Sequence, residues 1–229
     1  MKAFHSSIKY TLYSRYASNA DLVIELAGGH ANDLHRWIKY KIKNIVVVDK
    51  DIIEITEGQK RCSETHGCPN VRFILDDINE PQMVYSEKQA NVVFCNFAIH
   101  YFLKSDVNIK SLKWIIDKYL LNNGYFIFMA LDGQRVFDIL RNGDAMFGDV
   151  CISKKYRDAQ FKPFGQEIHV SGADKEYREY LVNFDFIKSV FNNYRVAEDR
   201  MFINTDGFKM SMNEERYSSL NRYIVLQKK

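Results

Sequence analysis

The chain has 229 residues, of which 46% are hydrophobic and 27% charged, the balance of one compact globular domain. This composition excludes collagen, coiled coil and extended disorder. No apolar run reaches the roughly 20 residues of a membrane helix, and the N-terminus lacks the pattern of a secretory signal, so we expect neither membrane insertion nor export. Four cysteines favour a reducing, cytoplasmic compartment, whereas a formal charge of +3 argues neither for nor against nucleic acid.

The first half of the chain alternates short β-branched or aromatic runs with longer amphipathic segments, which predicts βαβ units on a parallel sheet. Five buried strands are predicted, at residues 22–26, 44–48, 71–75, 91–95 and 125–129. Helices are predicted between them, at residues 31–40, 52–62 and 110–120. Asn122-Asn123-Gly124 is expected to close the last helix, because glycine and asparagine tolerate a left-handed cap.

The second half changes character. Its sequence predicts strands at 167–170 and 179–182, a helix at 184–192 and a terminal strand at 223–227. We expect these strands to extend the parallel sheet in antiparallel fashion. The least periodic stretch, 132–166, is expected to be an insertion or lid. No repeat or linker divides the chain, so 1–229 is treated as a single domain.

The strongest local motif spans Glu25 to Asp33 (ELAGGHAND) and falls where the first strand turns into the first helix. Asp49 ends the second strand, 20 residues after Gly29. This spacing is typical of nucleoside binding by a Rossmann-like sheet. Small residues let the backbone approach a ligand, and a carboxylate at the strand tip can accept hydrogen bonds from both ribose hydroxyls. Asp49 is the residue predicted for that task.

The same motif bears on which cofactor is used. A dinucleotide favours glycine at three positions, which hold Ala27, Gly29 and Asn32 here. S-adenosylmethionine has no phosphate, and its ammonium group needs an acceptor that Glu25 or Asp33 can supply. The sequence therefore favours S-adenosylmethionine.

The third predicted strand is followed by Asp76-Asp77-Ile78. Asp77 can accept from an adenine amino group, and Ile78 offers an apolar wall and a backbone amide. Carboxylates at strand tips are often helix caps or solvated instead. Several such acids at one sheet edge favour the binding interpretation.

These residues resemble the mRNA cap guanine-N7 methyltransferases. Residues 25–37 resemble the family's DLGCGKGGDLxKW, with Asp33, Leu34 and Trp37 matching and glycines replaced. Ser6-Ser7-Ile8-Lys9 resembles its NNxIK segment, which implies that Lys9 meets the methionine carboxylate. The resemblance implies an α/β, Rossmann-like class I methyltransferase fold with a mostly parallel central sheet, flanking helices and antiparallel C-terminal strands.

Two further segments carry the resemblance into the substrate side. Residues 96–101 resemble the family's QFxxHY element, which implies that Asn96 and Phe97 form a wall of the cofactor pocket and that His100 and Tyr101 contact guanine. Residues 179–182 resemble E(Y/F)LV, whose acid reads the Watson–Crick edge of guanine. Glu179 is the matching acid.

The sequence departs from the family at the aromatic residue that stacks on guanine. That position falls near Asn221, with Tyr217 and Tyr223 on either side; Tyr223 is included in the expected substrate site, and the choice between the two stays open. A family proline is replaced by Leu131, a variation similar to that of large DNA-virus capping enzymes. This implies a viral protein and a domain of a capping enzyme that also holds triphosphatase and guanylyltransferase domains.

The sequence thus predicts methyl transfer from S-adenosylmethionine to N7 of the terminal guanine of GpppN-capped mRNA, by positioning and without a general base. One alternative is a methyltransferase acting on another RNA position or a small molecule, because fold does not fix substrate. Another is a catalytically silent binding module, favoured by the altered glycine loop. No metal is expected, since Cys62, His66 and Cys68 make at most half a zinc site.

Overall fold

A computed structural model describes residues 1–172 and 175–229. In chain order the elements are α1 (Lys2–Tyr16), β1 (Leu22–Leu26), α2 (Leu34–Lys39), β2 (Asn44–Asp49), α3 (Ile52–Glu64), β3 (Asn70–Leu75), β4 (Ala90–Asn96), a 3₁₀ helix (Ile99–Leu103), α4 (Asp106–Tyr119), β5 (Leu120–Leu131), α5 (Gly133–Ile139), a second 3₁₀ helix (Leu140–Asn142), β6 (Ala145–Phe147), β7 (Val150–Lys154), β8 (Glu167–Gly172), β9 (Lys175–Tyr180), α6 (Phe184–Val190), β10 (Tyr194–Met201), α7 (Met212–Ser218) and β11 (Asn221–Lys228).

The main sheet has seven strands in the order β3-β2-β1-β4-β5-β11-β10. The first five are parallel, β11 runs antiparallel to β5, and β10 runs antiparallel to β11. Helices cover both faces, and every position of β1 is buried, as expected for a strand between two helical layers. The predicted fold class, a mostly parallel sheet with antiparallel C-terminal strands, is confirmed.

The face of the sheet that carries α1 and α2 determines one side of the site. Tyr13 of α1 stacks on Phe94 of β4 with ring centroids 4.2 Å apart, and Leu12 beside it is fully buried. Burial of side chains of this size contributes about 1.5–3 kcal/mol each. This packing fixes α1, which the sequence did not predict as a helix, against the sheet.

Two predicted helix boundaries are wrong. The helix expected from residue 31 begins at Leu34, because Ala31 takes a left-handed φ of 55° that interrupts a helical path. The cap expected at Asn122-Asn123-Gly124 does not close α4, which ends at Tyr119, and these residues belong to β5. Asn123 is left-handed as expected, with φ 64°, but within the strand, near the register shift between β4 and β5.

The strands of the second half do not all join the main sheet, which corrects the expectation for 167–170 and 179–182. β6 to β9 form a separate four-stranded antiparallel sheet, and β9 ends at Tyr180. Ile152, Ile168 and Val170 of this second sheet pack with α5 in their own apolar cluster. The stretch 132–166 supplies α5, β6 and β7. Sequence reasoning also missed β10, a charge-rich edge strand.

Candidate active site

A cleft of about 540 Å³, the main cleft, opens at the carboxyl ends of β1, β2, β3 and β4. This is where ligands bind in open α/β sheets. A side cavity of about 70 Å³ shares Ala27, Gly28, Asn32 and Asn96 with it. The predicted cofactor residues divide between the two: the main cleft is lined by Ala27, Gly29, Asp49, Asp77, Ile78, Asn96 and Phe97, and the side cavity by Lys9, Glu25, Ala27, Asp33 and Asn96.

The loop between β1 and α2 keeps a glycine-type backbone even where glycine is replaced. Ala27, Gly29 and Ala31 have φ angles of 53°, 51° and 55°. A left-handed alanine costs roughly 1–2 kcal/mol, so the surrounding contacts hold this path against local preference. At Gly28 a Cβ would come within 2.8 Å of Val47 Cγ1, which requires glycine for close packing on β2.

Asp49 is oriented by main-chain donors. Its Oδ2 accepts from the Gly29 N–H at 2.9 Å and its Oδ1 from the Asp51 N–H at 3.0 Å. The carboxylate therefore bridges the glycine loop and the start of α3. Each oxygen retains lone pairs that can accept from a diol at the cleft.

The two acids after β3 have different tasks. Asp76 is buried and accepts from the N–H groups of Gln82 and Met83, so it holds the following loop. Asp77 remains 46% exposed and lies 3.9 Å from the Lys50 ammonium, while Ile78 is buried in the cleft wall. Asp77 is thus the acid available to a ligand.

Asp33 forms the centre of a charge network. Its Oδ2 lies 2.6 Å from Lys9 Nζ and accepts from Asn96 Nδ2 at 3.3 Å, while its Oδ1 pairs with Arg36 at 2.5 Å. The expectation that Asp33 meets a ligand ammonium is thereby revised: it is engaged by two cations and orients Lys9. Arg36 also binds Ser6 Oγ at 2.5 Å. Its place three residues after Asp33 on α2 was the signal that sequence reasoning missed.

Glu25 is buried beside this network. Tyr13 Oη and Trp37 Nε1 both donate to its Oε1, the latter at 2.6 Å. Burial, together with the charge of Asp33, raises the pKa of Glu25. Glu25 therefore joins α1 and α2 to β1 as well as lining the side cavity, a structural task that the sequence did not indicate.

Asn96 and Phe97 form the opposite wall. Among the described residues, Asn96 Oδ1 has no hydrogen-bond partner, although this atom is buried and Asn96 lines both cavities. Phe97 is left-handed, with φ 57°, and stacks on His5 with ring centroids 5.8 Å apart. An unused acceptor beside Lys9 fits a ligand that carries both an ammonium and a carboxylate.

Glu179 and His100 lie together beyond the main cleft, and Tyr217 lies near Glu179; we name these three residues the acid–histidine cluster. His100 Nδ1 lies 3.6 Å from Glu179 Oε2, too far for a hydrogen bond. Burial lowers the pKa of His100 to about 3 and raises the pKa of Glu179 to about 7. His100 Nε2 is a second buried atom without a partner among the residues described.

Tyr101 joins the cluster to the main cleft, because it lines the cleft while its ring lies 4.1 Å from that of His100. Burial, followed by the charges of Glu179 and Asp49, raises the pKa of Tyr101. The structure thus brings the predicted residues His100, Tyr101 and Glu179 next to the cofactor residues.

Tyr223 is not brought to this place. It is buried on the α1 face of the sheet and donates to Glu198 at 2.8 Å. Tyr217 lies on α7, where burial and the nearby Glu179 raise its pKa to about 12. The structure therefore does not bring Tyr223 to the acid–histidine cluster, because strand alternation points it to the other face of the sheet. Tyr217 is the tyrosine that lies near Glu179.

Comparison with known proteins identifies the family. The protein-family model for the mRNA (guanine-N(7))-methyltransferase domain matches residues 1–228 of the chain. The chain belongs to this family. The main cleft, the side cavity and the acid–histidine cluster contain residues of the segments that carried the resemblance in the sequence.

Individual relatives are distant. The chain is 26% identical over 240 residues to an mRNA-capping enzyme of African swine fever virus, matching 91% of this chain and 27% of that protein. It is 23% identical to the mRNA cap guanine-N(7) methyltransferase of Schizosaccharomyces pombe, over 95% of this chain and 64% of that protein. The chain therefore spans about a quarter of the viral relative and less than two thirds of the yeast one.

Among solved structures, an S-adenosylmethionine-dependent methyltransferase from Clostridium acetobutylicum matches 98% of this chain and 90% of its own, with a TM-score of 0.66 and 16% identity. At this identity the match concerns the fold. In the described part of the chain, no cluster of three or more His, Cys, Asp or Glu residues has the arrangement of a metal site. No helix in residues 1–172 and 175–229 is long and apolar enough to cross a membrane.

Proposed function

We propose that this chain transfers a methyl group from S-adenosylmethionine to N7 of the terminal guanine of capped mRNA. The observation that carries the proposal is the juxtaposition, through Tyr101, of a nucleoside-type cleft with a largely buried acid, Glu179, and a buried histidine, His100. Membership of the mRNA (guanine-N(7))-methyltransferase family supports both halves of the assignment.

On the cofactor side, Asp49 would accept from the ribose hydroxyls and Asp77 from the adenine amino group, with Ile78 against the ring. Lys9, held by Asp33, would meet the methionine carboxylate, and Asn96 Oδ1 would accept from the ammonium group. S-adenosylmethionine, when bound, supplies a methyl group made electrophilic by its positively charged sulfur. These donors and acceptors fit that molecule, since each end of it meets a complementary group.

On the substrate side, Glu179 would accept from N1 and the amino group of guanine, which adenine cannot satisfy. Tyr217 would stack on the base, and His100 and Tyr101 would line its pocket. Guanine N7 holds an unprotonated lone pair in the ring plane at neutral pH, so no general base is required. The protein's contribution is alignment and exclusion of water, and a carboxylate at the guanine edge favours the positive charge that methylation creates.

We further propose that the chain acts as a single domain, with 132–166 as an insertion that moves over the site, within a viral capping enzyme. The viral relative is named an mRNA-capping enzyme, and the chain matches only 27% of it, which supports a larger assembly. Triphosphatase and guanylyltransferase domains are the partners that we propose for it. The free cysteines of the described residues fit a reducing, cytoplasmic compartment.

The proposal is tested by incubating the protein with labelled S-adenosylmethionine and GpppA-capped RNA, with GTP in parallel, and identifying the methylated nucleotide after digestion. We expect N7-methylguanosine in the cap. Label at another position, or transfer only to small molecules, would favour a different methyltransferase. Absence of cofactor binding would favour the silent module.

A further inference from the structure

The edge strand β9 presents two side chains on one face. Tyr177 and Glu179 are two residues apart, so alternation along the strand places them on the same side of the second sheet. Their cross-strand partners on β8 are Val170 and Ile168, both buried in the cluster beneath that sheet. Arg178 lies between them in sequence and therefore on the opposite face, and its cross-strand neighbour on β8 is His169.

These two side chains serve different parts of the site. Tyr177 lines the main cleft and is 46% exposed, whereas Glu179 belongs to the acid–histidine cluster and is 19% exposed. Tyr101 lines the same cleft as Tyr177, and burial, followed by the charges of Glu179, Asp49 and Tyr177, raises the pKa of Tyr101. One short strand therefore reaches both ligand sites.

The strand has a hydrogen-bonded neighbouring strand on one side. β9 is the last strand of the second sheet and forms its described main-chain ladder with β8 alone. β9 also contacts the 3₁₀ helix Ile99–Leu103, which carries His100 and Tyr101. A ligand that packs against Tyr177 would restrict the strand that also presents Glu179.

We propose that Tyr177 couples the two ligands, its ring packing on the adenosine part of the cofactor and so fixing the strand that presents Glu179 to guanine. Cofactor and capped RNA then bind with positive cooperativity, because the ligand that binds first has already paid the ordering cost of the strand. The coupling is reciprocal by thermodynamic necessity. This inference rests on the proposed function.

The test is calorimetric titration of GpppA into the full chain with and without saturating S-adenosylhomocysteine, which cannot donate a methyl group. In the unmodified chain we expect S-adenosylhomocysteine to tighten GpppA binding by roughly 5- to 20-fold, and GpppA to tighten S-adenosylhomocysteine binding by the same factor. In Tyr177→Ala, S-adenosylhomocysteine should change the GpppA affinity by less than about twofold. Tyr177→Phe, which keeps the ring, should show the same coupling factor as the unmodified chain.

Arg178→Ala is the matched control, because Arg178 is exposed on the opposite face of the same strand and should leave the factor unchanged. Equal coupling in the unmodified chain and in Tyr177→Ala, or none in the unmodified chain, would overturn the inference. Failure of the proposed function looks different: the unmodified chain would then not bind GpppA with or without S-adenosylhomocysteine, and a silent module would not bind S-adenosylhomocysteine either. Circular dichroism on each variant confirms that the fold is kept.

Discussion

The two halves of the site differ in how their charged groups are compensated. On the cofactor side, Asp33 is paired with Lys9 and Arg36, and Asp49 accepts from two backbone amides. On the guanine side, Glu179 has a pKa raised to about 7 by burial, and His100 Nε2 lacks a partner among the described groups. The cofactor half is therefore preorganised at Asp33 and Asp49, although Asn96 Oδ1 also lacks a partner in the described part of the chain, whereas in the guanine half a ligand would offset the desolvation of Glu179 and His100.

The largest expected effect is that of a substitution in the guanine half of the site. Glu179→Ala removes the acceptor for two guanine donors, and each charge-assisted hydrogen bond is worth about 1.5–3 kcal/mol. We expect kcat/KM for capped RNA to fall at least about 100-fold, while the affinity for S-adenosylhomocysteine changes less than about threefold. Equal losses for both ligands would show that the two halves are not separate.

The preorganised half should respond in the opposite way. Asp49→Ala removes the acceptor for the ribose and releases the Gly29 and Asp51 amides, so we expect S-adenosylhomocysteine to bind roughly 10- to 100-fold more weakly. Asp49→Asn, which keeps one acceptor oxygen, should lose less. Calorimetric titration measures both, and unchanged GpppA affinity is the control. Normal cofactor affinity in Asp49→Ala would contradict the assignment.

The two tyrosines sharpen the boundary of the guanine half. Tyr217→Ala should weaken GpppA binding by about tenfold or more, because stacking on a base contributes roughly 1–3 kcal/mol. Tyr223→Phe should leave binding unchanged and cost about 1 kcal/mol of unfolding free energy through the lost bond to Glu198. Binding titration and urea denaturation separate the two. The reverse pattern would restore Tyr223 to the substrate site.

Solution pH should affect the guanine half through Glu179. Since burial raises the pKa of Glu179 to about 7, the carboxyl is mostly protonated at pH 6 and mostly ionised at pH 8. The ionised form accepts from guanine, so GpppA affinity should rise about tenfold over that interval. Glu179→Gln should flatten the profile. A profile that stays equally steep in this variant would assign the titration to another group.

The raised pKa of Glu179 should make folding stability fall with pH, whereas GpppA affinity rises. The carboxyl of Glu179 ionises more readily in the unfolded chain, so its contribution to stability is complete below the unfolded pKa and is lost as pH rises through about 7.

The smallest effect is expected in the glycine loop. Ala27→Gly removes the backbone strain of a left-handed alanine, which stabilises the folded state, but it also raises the conformational entropy of the unfolded chain. Because these two effects oppose each other, the unfolding free energy should change by less than about 0.5 kcal/mol. Ala17→Gly, at a buried site with φ −120°, should cost about 1 kcal/mol or more. Urea denaturation compares them. Equal losses at both positions would mean that Ala27 is not strained.

The predictable part of the molecule is the part whose signal is local. The five parallel strands are continuous apolar runs, and their order along the chain places the tips that bear Asp49 and Asp77 at one edge of the sheet. The resemblance to a family then brought Glu179 and His100 into one place, and the structure has them adjacent. Their roles in binding remain predictions.

The unpredicted parts depend on long-range contacts. α1 is largely polar, and its helical state depends on packing such as that of Tyr13 on Phe94, which no local pattern reveals. Neither α7 nor the second sheet was predicted, so the sequence alone could not choose between Tyr217 and Tyr223. The role of Arg36 was hidden for the same reason, since a charged residue on a short helix is usually solvated.

The left-handed alanines of the glycine loop have a consequence for how such loops are detected across proteins. Ala27 and Ala31 take the torsion angles for which glycine is usually required, so a search written in residue letters would reject a loop whose backbone is intact. A search written in backbone torsions would find it. In this chain the main chain follows a path that glycine forms most easily, although alanine occupies two of its left-handed positions.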